Sequence, residues 1–198
     1  MTDSTDLTVK KNMVYVFLAD GFEEVEVIAP VDILRRAGID VKTVAVKSVS
    51  ATGEVSGGKN KEGAHGVTIM ADIEEDSIGD DFDMIVLPGG PGTCNLEKSQ
   101  TLQRTIDNAV SRGALIGAIC AAPSILGHKG LLRGKKAVCY PGYEADLDGA
   151  KVMSSQVCED GQIITGNGPG AAFAFGLLLA RRLGCDVEAV KSDMIMNT

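Results

Sequence analysis

Short aliphatic runs that stop abruptly at glycine- and proline-rich turns, with helical patterns between them, restrict this chain to very few architectures. Met13-Val14-Tyr15-Val16-Phe17-Leu18-Ala19 is the first such run and ends at Asp20-Gly21. Its length and β-branched content predict a strand buried on both faces. Further strands are predicted over residues 41–46, 67–70, 83–87, 114–119, 137–140 and 162–165. Between them, residues 23–37 carry a helical stripe of Val27, Ile28, Val31 and Leu34, with Gly38 as the stop. Pro30 fits that helix only in its first turn or at a kink, because proline brings no N–H to an interior hydrogen bond. Helices are also predicted over 102–110, 121–126 and 171–183, with another piece from Val187. Residues 48–66, rich in Ser, Gly and Lys, read as a loop or a ragged edge hairpin. Strands alternating with helices imply an α/β fold with a mostly parallel sheet covered on both faces.

At 198 residues, with neither repeat nor linker, the chain reads as a single domain over 1–198, residues 1–12 forming a flexible polar tail. A formal charge of −8 disfavours binding to phosphate backbones, so no nucleic-acid partner is expected. No apolar run approaches the ~20 residues that span a bilayer, and the polar N-terminus lacks the apolar core of a secretory signal. A cytoplasmic protein without a membrane partner is the expectation. Five widely spaced cysteines form no CxxC pair, and two histidines add little, so no metal site is expected.

Parallel sheets place ligands at the carboxyl ends of their strands. Four loops there carry unusual residues: Asp20-Gly21-Phe22-Glu23-Glu24-Val25-Glu26, Pro88-Gly89-Gly90-Pro91-Gly92, Cys120-Ala121-Ala122-Pro123 and Gly166-Asn167-Gly168-Pro169-Gly170. Cys120 marks the passage from a buried strand to a helix, and its small neighbours allow the sharp turn of a nucleophile elbow. A helix N-terminus beside it is expected to lower the thiol pKa; an inert thiol buried at the end of a core strand is the competing reading. Glu24 reads as a first-turn acid favoured by the helix dipole. Glu26 lies in an otherwise apolar stretch, where burial would raise its pKa. Gly166 to Ala171 imitates a dinucleotide-binding loop, but no βαβ unit follows it, and NAD is set aside.

These residues, in this order, resemble the ThiJ/PfpI superfamily, specifically the branch of the parkinsonism-associated protein deglycase and its bacterial relatives. The carriers are Gly21 to Glu26, the Pro30-Val31-Asp32-Ile33-Leu34-Arg35-Arg36-Ala37-Gly38 run, Val86 to Gly90, Ala118 to Pro123 and Gly168-Pro169-Gly170. The resemblance implies a flavodoxin-like three-layer α/β/α sandwich, a homodimer and no cofactor. It maps a reactive, oxidisable cysteine onto Cys120 and its protonated carboxyl partner onto Glu26, with the Gly90 and Ala121 N–H groups forming the anion pocket. Glu23, Gly89 and Pro169 take supporting places. Protease-like relatives have His after the cysteine, where this chain has Ala121, so a Cys–His peptidase is not expected. Where the deglycase branch often has His before Pro, this chain has Tyr140 before Pro141, which removes the obvious proton shuttle. His65 is a candidate to approach the pocket from its loop, with a solvated loop histidine as the alternative. His128 reads as a helix-terminal surface residue.

Two functions follow from the resemblance. One is a cysteine-dependent, cofactor-free glyoxalase or protein deglycase acting on methylglyoxal-type dicarbonyls or glycated side chains. The other is a redox-sensing stress-response protein or chaperone that uses oxidisable Cys120 without turnover. Thiamine-pathway chemistry ranks below both, since no residue here calls for a thiazole phosphate site.

Overall fold

A computed structural model describes residues 12–49 and 55–196 of the chain. The tail expected at 1–12 lies outside these residues except for Asn12. The first apolar run forms β1 (Met13–Leu18), followed by α1 (Glu24–Arg36) and β2 (Asp40–Ala45). Then come β3 (Ile73–Glu74), β4 (Met84–Leu87), α2 (Thr93–Lys98), α3 (Gln100–Arg112) and β5 (Leu115–Ile119). The chain continues through α4 (Pro123–His128), β6 (Val157–Asp160), β7 (Ile163–Gly166), α5 (Ala172–Arg182) and α6 (Val187–Asp193). One seven-stranded sheet has the order β6-β7-β5-β4-β1-β2-β3. All its pairings are parallel except β6 on β7, which is antiparallel and closes one edge.

Alternation along β1 divides the core. Val14, Val16 and Leu18 pack with α1 and α5, while Tyr15, Phe17 and Ala19 pack with α3 and α4. Phe17 and Leu18 are fully buried on opposite faces, and burial of each such side chain contributes about 2 kcal/mol. The three-layer flavodoxin-like α/β/α sandwich is therefore present. Among the described residues no helix is long and apolar enough to cross a membrane.

Several elements differ from the sequence expectation. Pro30 sits neither in the first turn nor at a break but inside α1. The N–H it lacks is the one that would reach the Glu26 carbonyl. Residues 137–140 are not a sheet strand: only Lys136–Ala137 pairs, with Lys151–Val152. Beyond that point the Val138 N–H donates to Thr165 Oγ1 at 2.9 Å, so a side chain replaces the ladder. Of the two readings of residues 48–66, a loop or a hairpin, the hairpin is the one formed. Ser48–Val49 pairs with Val55–Ser56, and Asn60–Glu62 pairs antiparallel with Thr68–Met70. The edge strands β3 and β6 and the short α2 add to the expected elements.

Candidate active site

β5 delivers the chain to Cys120, whose φ of +65° lies in the left-handed region that side chains other than glycine rarely occupy. Such a conformation costs of order 1 kcal/mol and persists only where neighbours impose it. Here they act on both peptide groups. The Cys120 N–H donates to the Gly166 carbonyl at 2.9 Å, and the Cys120 carbonyl accepts from the Tyr140 N–H at 2.8 Å. The turn therefore projects the side chain toward the loops after β1 and β4. The residue remains 7% exposed.

Glu26, on the first turns of α1, is fully buried. Its Oε2 accepts from the Gly89 N–H at 2.8 Å, while the buried Oε1 has no hydrogen-bond partner among the described residues. The Cys120 thiol and this carboxyl act on each other's titration, and the backbone N–H groups of Gly90 and Ala121 favour the thiolate. Close approach makes the glycines necessary. A Cβ on Gly89 would fall 2.6 Å from Cys120 Cβ and 2.9 Å from Glu26 Oε2. One on Gly90, where φ is +85°, would fall 2.6 Å from the Glu23 nitrogen.

Burial pushes the Glu26 carboxyl up to about 7, and the nearby Glu23 charge acts in the same direction. The thiol departs from expectation. Burial, followed by the negative charge of Glu26, pushes Cys120 up to about 12 against the backbone donors of Gly90 and Ala121. The physical reason is burial beside a second acid, and α4, which starts only at Pro123 and is six residues long, does not offset it. Cys120 and Glu26 titrate as a pair. Thiol beside carboxylate and thiolate beside carboxylic acid carry equal charge and differ only in the position of one proton.

The other candidates divide between the site and its support. Glu23 is the residue before α1 and donates its N–H to the Gly89 carbonyl at 3.1 Å, holding the glycine turn. Glu24 is more than a dipole-favoured acid. It is buried, and its Oε1 accepts from the backbone N–H of His65 at 2.7 Å and of Val67 at 3.4 Å. Burial raises its pKa, but hydrogen bonds from the His65 ring and from backbone N–H groups outweigh that and hold it near about 2. The His65 ring is largely exposed, with Nδ1 2.9 Å from Glu24 Oε2 and 3.7 Å from Glu23 Oε1. Its pKa is raised, first by the Glu24 hydrogen bond and then by the Glu23 charge. Glu23, Glu24 and His65 thus form a set of cation-ligating atoms within 4.8 Å of one another. Both Glu24 oxygens are already engaged within it, which makes the set a latch for the 63–67 loop.

Pro169 opens the short turn Pro169–Ala171 that follows β7. The segment resembling a dinucleotide loop serves instead to accept the Cys120 N–H through Gly166. Tyr140 is half-exposed beside it. His128 closes α4 at the surface, with Nδ1 2.6 Å from Glu97 Oε1 and Nε2 3.5 Å from Asp146 Oδ1.

Chemically, this arrangement offers a sulfur nucleophile, a carboxyl tuned to exchange a proton near neutrality, and two backbone donors for a developing negative oxygen. The chain is similar to Protein DJ-1 homolog B of Arabidopsis thaliana, 34% identical over 192 residues, covering 95% of this chain and 42% of the relative. The chain thus spans under half of that relative's length. It is 30% identical to a deglycase of Pyrococcus abyssi over 165 residues, covering 82% of this chain and 93% of the relative. It is also 30% identical to the glutathione-independent glyoxalase DJR-1.2 of Caenorhabditis elegans over 179 residues, 89% of this chain and 91% of the relative. The crystal structure of Drosophila melanogaster DJ-1beta superposes with a TM-score of 0.83 at 33% identity, covering 93% of this chain and 98% of that one. Oxidized Toxoplasma gondii DJ-1 does so with a TM-score of 0.83 at 30% identity over the same shares, 93% and 98%. The model of the DJ-1/PfpI family matches residues 12–182, from the first residue before β1 to the end of α5, and the chain belongs to that family.

Proposed function

We propose that the protein is a cysteine-dependent glyoxalase or deglycase acting on methylglyoxal-type dicarbonyls or their early adducts with side chains. The observation that carries this reading is the close approach of Cys120, Glu26 and the Gly89–Gly90 backbone at the carboxyl end of the sheet. Glu26 accepts the thiol proton as the sulfur adds to the aldehyde carbon. The carbonyl π electrons move to oxygen, which the Gly90 and Ala121 N–H groups stabilise before it is protonated. A proton then leaves the former aldehyde carbon and another arrives at the adjacent keto carbon, so the first carbon is oxidised and the second reduced. Water cleaves the resulting thioester, releasing a hydroxy acid and restoring the thiol. Glu26, poised near 7, serves as base and acid in turn. No outside oxidant, metal or organic cofactor enters the balance. Relatives named deglycase and glyoxalase support the assignment.

The working form is a homodimer. Val25 and Ile28 on α1 and Phe173 on α5 are large apolar side chains exposed in the single chain, and covering such surface favours self-association. All five cysteines are free, which suits a reducing cytoplasm.

The test is incubation with methylglyoxal without glutathione and with a metal chelator present, with lactate as the readout. Wild type is expected to form lactate, and Cys120→Ala and Glu26→Gln to form none above background. Undiminished lactate from Cys120→Ala overturns the assignment. A redox-sensing role is the second reading, favoured by the solved oxidized relative. It predicts no lactate from wild type, together with peroxide-driven gain of two oxygens on Cys120.

A further inference from the structure

We infer that Asp20, paired with the buried Lys61, is a positioning residue for Cys120, holding the glycine loop whose Gly90 N–H meets the developing negative charge; this rests on the carbonyl chemistry proposed above. Lys61 lies on the strand Asn60–Glu62 and is only 2% exposed. A lysine so deeply buried is almost never without a counter-charge. The Asp20 carboxylate supplies it, with Oδ2 3.5 Å from Lys61 Nζ. The same carboxylate gathers two more donors from outside the main sheet. Its Oδ2 accepts from the Ser48 hydroxyl at 2.8 Å, and its Oδ1 accepts from the Glu62 N–H at 3.1 Å. Burial acts to raise the Asp20 pKa, but the Glu62 N–H, the Ser48 hydroxyl and the Lys61 charge outweigh it and hold the group below its ordinary value.

Asp20 begins the turn after β1, and that turn is bonded to the glycine loop residue by residue. The Asp20 carbonyl accepts from Asn95 Nδ2 at 3.3 Å, and the Gly21 carbonyl accepts from the Gly92 N–H at 2.8 Å. The Glu23 N–H completes the set by donating to the Gly89 carbonyl. The two segments are packed without slack. A Cβ on Gly92 would fall 2.6 Å from the Asp20 carbonyl oxygen, and one on Gly90 would fall 2.6 Å from that of Gly21. On its other side the turn is tied to the strand that carries Lys61, since the Gly21 N–H donates to the Glu62 carbonyl at 2.7 Å. A shift of Asp20 is therefore passed through Gly21 to Gly90 and Gly92. The Gly90 N–H favours the Cys120 thiolate, so Asp20 acts on the sulfur through this backbone.

The experiment compares Lys61→Met, Asp20→Asn and the double change in the full chain. Lys61→Met removes the buried charge, keeps an apolar chain in its place and frees the half-exposed carboxylate to turn toward solvent, so Tm is expected to hold or rise. Asp20→Asn strands the buried ammonium and is expected to lower Tm. Cys120 is alkylated with iodoacetamide, where the sulfur displaces iodide and forms one S–C bond, and the modified peptide is followed by mass. In parallel, kcat and KM are measured for methylglyoxal. Each single change is expected to slow alkylation and lower kcat about three- to tenfold, with KM within about twofold. The double change is expected to lose no more than either single one, because the pair acts as a unit. Where Asp20→Asn does not fold, Lys61→Met and the double change carry the test and must agree. A Lys61→Met protein that reacts as wild type overturns the inference, as does a double loss equal to the product of the single ones. A Tm loss in Asp20→Asn with alkylation and kcat unchanged overturns it too, leaving Asp20 a role in stability alone. If wild type forms no lactate yet alkylation slows as stated, the positioning role stands and the dicarbonyl reaction falls. If lactate forms and neither rate moves in the variants, the reaction stands and the positioning role falls.

Discussion

Gly89 lies so close to Cys120 that a Cβ built on the glycine falls 2.6 Å from the Cβ of the cysteine. The same glycine donates its N–H to Glu26, so one residue spaces both members of the reacting pair. Gly89→Ala forces neighbours apart, and overpacking of this kind costs about 1–3 kcal/mol. In a chain of this size the expected Tm loss is roughly 2–10 °C. Alkylation of Cys120 should also be altered, whereas a change of Tm with unaltered alkylation would mean that the pocket has room the geometry denies.

The raised pKa of Glu26 has a defined sign in stability. The folded protein holds the proton up to about 7, and the unfolded chain releases it near 4.5. Between those values the native state binds more protons, so stability from this group is fully present below the lower one and falls as pH rises toward the higher. Wild type is therefore expected to lose more melting temperature than Glu26→Gln when pH is raised across that window. A difference between the two proteins that does not vary with pH contradicts this.

The left-handed elbow separates two substitutions that both remove the sulfur. Cys120→Ala keeps a Cβ at φ +65°, whereas Cys120→Gly does not. Relief of about 1–2 kcal/mol of strain outweighs the added freedom of the unfolded glycine chain. Calorimetry should rank the Gly variant above the Ala variant by about 0.5 kcal/mol or more.

Glu24 latches the 63–67 loop by accepting from the His65 and Val67 backbone N–H groups. Hydrogen bonds to a charged acceptor contribute about 1.5–3 kcal/mol. In Glu24→Ala the His65 and Val67 amides are expected to exchange hydrogen at least about tenfold faster, with amides of β4 and β5 changed far less. Uniform acceleration across the sheet would assign Glu24 to global stability instead.

The apolar outer face of α1 bears on assembly. Ile28→Glu places a charge on a surface proposed to be covered by a second copy, where an unpaired buried charge is costly. Sedimentation should show a dimer for wild type and a monomer for the variant, with the far-ultraviolet spectrum unchanged. A variant that remains dimeric locates the interface elsewhere.

The elements easiest to read in the sequence are those with dense local signals. β1, β4 and β5 are continuous aliphatic runs cut off by turn residues, and α3 presents Leu102 and Ile106 at helical spacing. Val138 to Tyr140 has the same apolar character but forms no ladder. The Val138 and Tyr140 N–H groups go to the Thr165 side chain and the Cys120 carbonyl, and no local pattern reports such distant acceptors. The strands β3 and β6 carry too few apolar residues to announce themselves; their neighbours recruit them. Cys120, Glu26, Gly89 and Gly90 were recognisable as a motif, and the structure brings them together. The thiol pKa is raised rather than lowered because burial and the Glu26 charge outweigh the backbone donors, and local spacing reports neither. Glu24 is the residue whose part was hidden, since its partner His65 lies 41 positions away and local spacing shows only an acidic helix start.

The two hydrogen bonds that grip Cys120 from opposite sides, from Gly166 and from Tyr140, make that residue a stiff mount. A backbone fixed at both peptide planes cannot swing to follow a newly formed bond at sulfur. Every adduct must be accommodated by torsion about χ1 and by the cradle around it, so the mount returns to the same register once the sulfur is freed.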